Sequence, residues 1–215
     1  MHRSVAPFDG SRTVSVAHDR DGFGPYTAED LHAREDEGRG LELEDGWLIE
    51  LSPSAPHNLA YRRIHEFVEA AVAEAGAAVY ADRGGDWEIG TPAGIRRPDV
   101  FAVPSEVVRA AMAARSPAPL PGHEVLLVVE VVSPGSGSER TDRVRKIEDY
   151  AAAGIPQYWI TDLLPRPRVQ VFVLDGRTGT YRLDLTAEAG EVLEVKVDAD
   201  RPFTVRFDPQ QLAGF

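Results

Sequence analysis

The chain contains no cysteine among its 215 residues. Without thiols it can form neither disulfide bonds nor a cysteine-based zinc site, and it has no thiolate nucleophile. Lysine is scarce as well, because only Lys146 and Lys196 occur among 23 basic residues. A function that requires a lysine ammonium therefore has few positions to draw on.

Long apolar segments are also lacking. The first residues do not contain the apolar run of a signal peptide, and no segment has the length and composition of a membrane span. We therefore expect a cytoplasmic protein with no membrane contact. A formal net charge of −12 weighs against non-specific binding to nucleic acid, which depends on cationic contacts to phosphate. A local basic face is still compatible with this total.

The order of predicted elements indicates an α/β fold. Thr27 and Asp30 form a capping box that opens a short helix, and Asp45-Gly46 predicts a β-hairpin. A long amphipathic helix ending at Gly76 follows, then alternating strands and helices, then a Gly-rich β tail. We expect a flexible arm over residues 1–24 and a single domain over 25–215. The domain is predicted to have a mixed β-sheet flanked by helices, an N-terminal hairpin and a C-terminal β-meander.

One carboxylate lies in an otherwise apolar strand. In "LLVVEVVSPGS", Leu126 to Ser136, six of the first seven residues are Leu or Val, and the remaining one is Glu130. Burying a carboxylate costs several kcal/mol, on the order of the penalties known for buried ions, unless a partner compensates it. An arginine in a structural salt bridge is one such partner, and a metal ion is another.

Two further residues favour the metal. Asp99 stands at the head of the strand "DVFAV", and Lys146 lies on the helix after the Glu130 strand. If the two strands are neighbours, Asp99 and Glu130 converge at one sheet edge, the usual ligand position in α/β folds. Hard oxygen ligands favour Mg²⁺ or Mn²⁺ over zinc. A nearby ammonium then stabilises charge on a transferring phosphoryl group or orients the attacking water.

The same segments resemble a known family. "RRPDVFAV", "LLVVEVVSPGS" and "TDRVRKIEDYAAAGIPQYWITD" are similar to the Uma2-type endonucleases, a branch of the PD-(D/E)XK nuclease superfamily, as is "LELEDGWLIELSPSAPHN" nearer the start. The resemblance runs from about Leu41 to Asp162 and weakly onward. It implies a restriction-endonuclease-like core and a metal-dependent endonuclease that hydrolyses phosphodiester bonds in DNA.

The resemblance also assigns residues. It makes Asp99 and Glu130 the metal-binding carboxylates, with the backbone carbonyl of Val131 as a further ligand. Val132 stands where the superfamily usually has its lysine, so Lys146 on the following helix takes that place. Glu42 matches an acidic residue that supports the metal or the base.

Two further expectations concern a histidine and the oligomeric state. His57 matches the family's histidine, which we retain as a supporting residue. A homodimer is expected, because two active sites are needed to cut both strands of DNA.

Each assignment has a structural alternative. Lys146 could pair on the surface with Asp142, one helical turn earlier. Glu42 and Glu50 could simply alternate outward on the hairpin, and His57 could be a capping or packing residue. Tyr150 and Trp159 are most simply core aromatics. One set of arginines could line a phosphate track or, as is usual among so many acids, belong to a solvated surface: Arg62, Arg63, Arg96, Arg97, Arg140, Arg143 and Arg145.

The rival functions follow from these alternatives. A nuclease-like fold that acts as a binding or regulatory module, with little or no cleavage, is consistent with the acidic balance. Hydrolysis by two carboxylates without a metal, as in a glycosidase, is a weaker third possibility.

Overall fold

The structure, a computed structural model, describes residues 24–34, 40–51, 54–85, 87–114, 118–132 and 141–214. The predicted arm over residues 1–24 therefore lies, except for Gly24, outside the described residues, as does Arg140. The prediction of a single domain over 25–215 stays a prediction. None of the helices in the described ranges is long and apolar enough to cross a membrane.

The first elements form as their local signals predict. Helix α1 (Ala28–Arg34) opens with the capping box, in which the Thr27 N–H and hydroxyl donate to Asp30 Oδ2 at 2.7 and 2.9 Å. Strands β1 (Leu41–Glu44) and β2 (Trp47–Glu50) pair antiparallel. Asp45 and Gly46 between them have φ of +47° and +79°, the left-handed conformation that a two-residue hairpin requires.

Helix α2 (Ala55–Ala75) is the longest of the described helices. Ser54 caps its start, because the Ser54 hydroxyl oxygen accepts from the His57 N–H, and Gly76 ends it with φ of +62°. The buried face repeats at helical spacing and consists of Ala60, Ile64, Val68, Ala71 and Val72.

The remaining elements are mostly strands, with helices between some of them. In chain order they are β3 (Val79–Arg83), β4 (Ile89–Thr91), β5 (Gly94–Arg96), β6 (Val100–Pro104), α3 (Ser105–Ala113), β7 (Leu120–Pro121), β8 (Leu127–Val132), a π-helical turn (Thr141–Arg145), α4 (Lys146–Ala152), β9 (Gln157–Asp162), β10 (Arg168–Asp175), β11 (Thr180–Glu188), β12 (Leu193–Val197) and β13 (Phe203–Phe207).

These strands form a main sheet with β8 at its centre. Its six-stranded order is β11-β10-β9-β8-β6-β3, in which β8 and β9 are parallel and the other pairs antiparallel. All six residues of β8 are buried, as expected for a strand covered on both faces. The smaller front sheet has the order β2-β1-β5-β4-β7. The fold is thus the predicted α/β class, with mixed sheets flanked by helices.

Two apolar layers cover the main sheet. On one face, α2 and the β12–β13 ribbon pack against Val129, Val131 and Trp159. On the other face, Val108 of α3 and Tyr150 of α4 pack against residues such as Val128 and Ile160. The tail differs from a single predicted meander: β10 and β11 continue the main sheet, whereas β12 and β13 pair only with each other among the described strands.

Gly84, just after β3, lies close to the Pro98–Asp99 segment that leads into β6. Its N–H donates to the Asp99 carbonyl at 2.9 Å, and a Cβ on Gly84 would lie 1.2 Å from the Pro98 carbonyl oxygen. We expect Gly84→Ala to lower the free energy of unfolding by about 3 kcal/mol, the upper part of the range for overpacking.

Gly85→Ala is the matched control, because a Cβ there meets nothing within 4 Å. Urea unfolding should place it within about 0.5 kcal/mol of the parent, as for an open surface site. Equal unfolding midpoints for the two variants would contradict the close approach at Gly84.

Candidate active site

The main sheet brings Asp99 beside Glu130. Strands β6 and β8 pair antiparallel with Val100 opposite Val129, and Asp99 directly precedes β6. The Val131 N–H donates to Asp99 Oδ2 at 2.7 Å, which ties the Asp99 carboxylate to β8. The predicted neighbouring of these two strands is therefore confirmed. Asp99, immediately before β6, and Glu130, near the end of β8, therefore lie at the same end of two neighbouring strands.

Lys146 and Tyr150 hold Glu130. The Lys146 ammonium lies 3.0 Å from Glu130 Oε1, and the Tyr150 hydroxyl donates to the same oxygen at 2.7 Å. The two donors are four residues apart on one face of the turn into α4. Glu130 and Lys146 are each only 3% exposed. The buried carboxylate thus faces a cation and a phenol, which offset its desolvation.

The surface alternative for Lys146 is wrong, because the side chain is buried between two carboxylates. Besides Glu130, its ammonium contacts Glu42 Oε1 at 3.1 Å. Tyr150 is a core aromatic, as expected, but sequence reasoning missed its contact with Glu130. The spacing of Lys146 and Tyr150 is the one signal that points to it, since residues at i and i+4 share a helix face.

Glu42 lies inside the protein rather than on the outer face of the hairpin. Its side chain is fully buried and accepts from Arg96 at 3.2 Å and from the Arg97 N–H at 2.9 Å, in addition to Lys146. Burial alone raises the pKa of a carboxyl, but the charges of Lys146 and Arg96 overcome it and hold the pKa of Glu42 below its ordinary value. Glu42 is therefore an anion that orients the lysine.

Arg96 is a second buried cation, and sequence reasoning did not find it. Its guanidinium contacts Glu42, Glu44 at 3.3 Å and Asp149 on α4. Burial lowers the pKa of an arginine, but Glu42 and Asp149 raise that of Arg96 above its ordinary value. Burial, together with Glu44 and Asp45, raises the pKa of Asp149 despite the contact with Arg96. Arg96 thus joins the front sheet to α4.

Two of the arginines belong neither to a phosphate track nor to a solvated surface. Arg96 is completely buried, and Arg97 is 8% exposed with its guanidinium 3.0 Å from Glu88. Two others are also engaged: Arg143 contacts Asp162, and Arg145 contacts Glu44 at 3.0 Å. These side chains connect protein elements, because the acids that outnumber the arginines in this chain lie opposite them.

His57 reaches Asp99 from the first turn of α2. Its Nε2 lies 2.7 Å from Asp99 Oδ1, and both side chains are mostly buried. The alternative of a capping residue is wrong, because Ser54 caps α2 and the His57 N–H is the donor that it satisfies. Glu50 is half-buried at the end of β2, across from Leu41.

The donor set fits a hard divalent cation that takes few protein ligands. No group of three or more His, Asp or Glu side chains with metal-binding geometry occurs in the described part of the chain. Mg²⁺, however, usually binds through one or two carboxylates and keeps several waters. Asp99 and Glu130 supply two carboxylates, and their use as metal ligands stays a prediction. Val131 follows Glu130 in β8, and its N–H donates to Asp99. The role of its carbonyl stays a prediction.

The arrangement of sheet and helices defines the class of the protein. The fold matches a solved structure described as "Crystal structure of a putative nuclease belonging to DUF820 from Anabaena variabilis ATCC 29413". The TM-score is 0.60 at 14% identity, over 87% of this chain and 97% of the other. This likeness shows a shared nuclease fold.

The family follows from the sequence model. The chain belongs to the Uma2 family, whose description is "Putative restriction endonuclease" and whose model matches residues 28–200. The resemblance found in the sequence is thereby confirmed. No curated protein matches the chain.

Proposed function

We propose that this protein is a metal-dependent endonuclease that hydrolyses phosphodiester bonds in DNA. In this proposal Asp99 and Glu130 hold Mg²⁺ or Mn²⁺, with the Val131 carbonyl as a further ligand. The observation that carries the proposal is the buried lysine. Lys146 lies 3.0 Å from Glu130, and Glu130 belongs to β8, the neighbour of the strand that Asp99 precedes. Membership of a nuclease family supports the reaction class.

The charge of the site supports a divalent cation. Four carboxylates are joined through shared cations, Glu42, Glu44, Glu130 and Asp149, and Asp99 is a fifth nearby, held by the Val131 N–H next to Glu130. Three permanent cations face them: Arg96, Arg145 and Lys146. Two negative charges are therefore left when His57 is neutral. A dication offsets this excess, and clustered buried anions otherwise raise one another's pKa values.

The residues of the chain take separate roles. When bound, a divalent cation supplies charge neutralisation at the scissile phosphate and lowers the pKa of a coordinated water. The Val131 N–H and His57 hold the Asp99 carboxylate in place. Lys146 donates to a phosphate oxygen, stabilises the charge that develops in the transition state and positions the attacking water. Glu42 keeps that ammonium charged and oriented, which makes it a positioning residue.

The test is cleavage of supercoiled plasmid and short duplex DNA with Mg²⁺ or Mn²⁺. Glu130→Gln is expected to lower the cleavage rate by at least about 100-fold, because an amide is a poor ligand for a hard cation. Glu148→Gln, an exposed acid on the same helix, should retain the parent rate. Equal rates for the parent and Glu130→Gln on every form of DNA would overturn the proposal.

A binding or regulatory module is the second candidate. The net charge of −12 favours it, as does the engagement of Glu130 Oε1 by two protein donors. Calorimetric titration with Mn²⁺ separates the candidates. Saturable binding that Asp99→Asn abolishes supports the enzyme, whereas a parent protein that binds no Mn²⁺ supports the module.

The partners and location follow from the same proposal. DNA is the proposed substrate, with RNA oligonucleotides as the comparison in the cleavage assay. We expect a homodimer located in the cytoplasm. Sedimentation analysis of the full chain measures the oligomeric state directly.

A further inference from the structure

Tyr150 has a place in the site that none of the assigned roles covers. It is completely buried on α4, and its hydroxyl donates to Glu130 Oε1 at 2.7 Å. Its ring packs edge-on against Tyr158, with centroids 5.2 Å apart and planes at 61°. Tyr158 in turn lies 5.9 Å from the ring of Tyr181. A ring enclosed in this way has little rotational freedom, so its hydroxyl is aimed at a fixed point.

The phenol is a neutral donor. A tyrosine hydroxyl is a donor near neutral pH, and this one donates to Glu130 Oε1. A hydrogen bond from a neutral donor to a carboxylate is charge-assisted, and so stronger than one between neutral groups.

Lys146 is a donor of a different kind. Its ammonium is shared between Glu130 and Glu42, at 3.0 and 3.1 Å, at the end of a flexible four-carbon stem. If this ammonium contacts a phosphate oxygen during the reaction, its contact with Glu130 weakens at the moment when Glu130 must stay in position. A second, rigid donor on the same oxygen removes that conflict.

We propose that Tyr150 is a positioning residue that holds the Glu130 carboxylate in its ligand orientation while Lys146 is engaged with the substrate. This inference rests on the proposed function, because it assigns Glu130 to the metal and Lys146 to the phosphate. Tyr150 acts through Glu130 and touches neither the substrate nor the water. It is distinct from a packing role, which the ring alone fulfils.

The experiment compares Tyr150→Phe with Tyr181→Phe in the full chain. Tyr150→Phe keeps the ring and removes only the hydroxyl. We expect it to weaken Mn²⁺ binding in calorimetry, without DNA, and to lower the cleavage rate at saturating Mn²⁺, each by about 10- to 100-fold, as for other groups that orient metal ligands. Tyr181→Phe removes a hydroxyl of the same aromatic group, one that donates to the Ile155 carbonyl at 2.7 Å, and should leave both quantities within about two-fold.

A third variant separates the donor from the fold. 4-Aminophenylalanine in place of Tyr150 keeps the ring and a neutral N–H donor, and should restore Mn²⁺ affinity to within about three-fold of the parent. If Tyr150→Phe does not fold, the 4-aminophenylalanine variant becomes the test. A loss of Mn²⁺ affinity in that variant, which still has a donor, would then contradict the proposal.

The outcomes distinguish this inference from the proposed function. A parent protein that binds Mn²⁺ and cleaves DNA, with Tyr150→Phe indistinguishable from it, overturns the role of Tyr150 and leaves the endonuclease intact. A parent protein that neither binds Mn²⁺ nor cleaves overturns both. Equal losses in Tyr150→Phe and Tyr181→Phe reduce Tyr150 to a packing residue.

Discussion

Lys146→Met is expected to abolish DNA cleavage and to lower the free energy of unfolding by about 3–5 kcal/mol. The methionine fills similar space, but it leaves Glu42 and Glu130 buried without the ammonium they share. Removing one partner of a buried ion pair is costly because the other charge stays desolvated. Losing the donor to the transition state should by itself cost about 100- to 1000-fold in rate.

The chain supplies its own control for this change. Lys196 is the other lysine, and it lies on the surface, 64% exposed and 3.2 Å from Asp198. Lys196→Met should alter the free energy of unfolding by less than about 1 kcal/mol and leave the cleavage rate unchanged. Urea unfolding and plasmid cleavage measure both variants. A stable and fully active Lys146→Met protein would mean that the lysine belongs to neither the core nor the site.

Lys146→Arg separates the two effects of this residue. The guanidinium keeps the positive charge between Glu42 and Glu130, so part of the stability should return. Its planar fork cannot reproduce the compact ammonium at the end of a flexible stem, and we expect cleavage to stay at least about ten-fold below the parent. Recovery of the full rate would show that charge alone is sufficient at this position.

Arg96→Met is expected to cost at least as much stability, about 3–5 kcal/mol, in urea unfolding. The guanidinium is completely buried and contacts Glu42, Glu44 and Asp149. Without it, three acids lose a shared cation, and the front sheet loses its contact with α4. A net stability of about 5–15 kcal/mol for an ordinary domain makes this a large fraction of the total.

Arg145→Met is the matched control for Arg96. Arg145 contacts the same Glu44 at 3.0 Å, but its side chain is 61% exposed. An exposed ion pair contributes about 0–1 kcal/mol, so this variant should unfold close to the parent. If the two arginine variants unfold at the same urea concentration, burial is not what makes Arg96 important.

These predictions place stability and chemistry in one set of side chains. Glu42 accepts from Arg96, which holds the front sheet to α4, and from Lys146, which contacts Glu130. The charges that attach the front sheet thereby also set the position of the proposed catalytic ammonium. A protein that stabilises itself through its proposed active site has little freedom to vary these residues without losing both properties.

Much of the fold was predictable because its signals are local. The Asp45-Gly46 turn, the capping box at Thr27 and the Gly76 stop depend on backbone conformations that those residues favour themselves. The unbroken burial of β8 follows from its run of Leu and Val. Strand β5 escaped prediction, since it spans only three residues and pairs with the equally short β4 and with β1, much earlier in the chain.

The candidate site was predictable only in part. Glu130 drew attention as a carboxylate in an apolar strand, and Lys146 stood out because lysine is rare here. The partners of Arg96 lie more than 50 positions away in sequence, and His57 is separated from Asp99 by 42. No local pattern encodes such contacts, and the arginines next to Pro98 read equally well as a surface track.

The sequence by itself determined the nuclease-family resemblance, the elements with strong local signals and the acids of the proposed site. Only the tertiary structure decided what those acids contact: a lysine and a phenol on Glu130, a histidine on Asp99 and a buried arginine behind Glu42. The physical reason is that turns and helix ends depend on a few consecutive residues. A buried charge depends on which distant side chains the packed sheets and helices bring within about 3 Å of it.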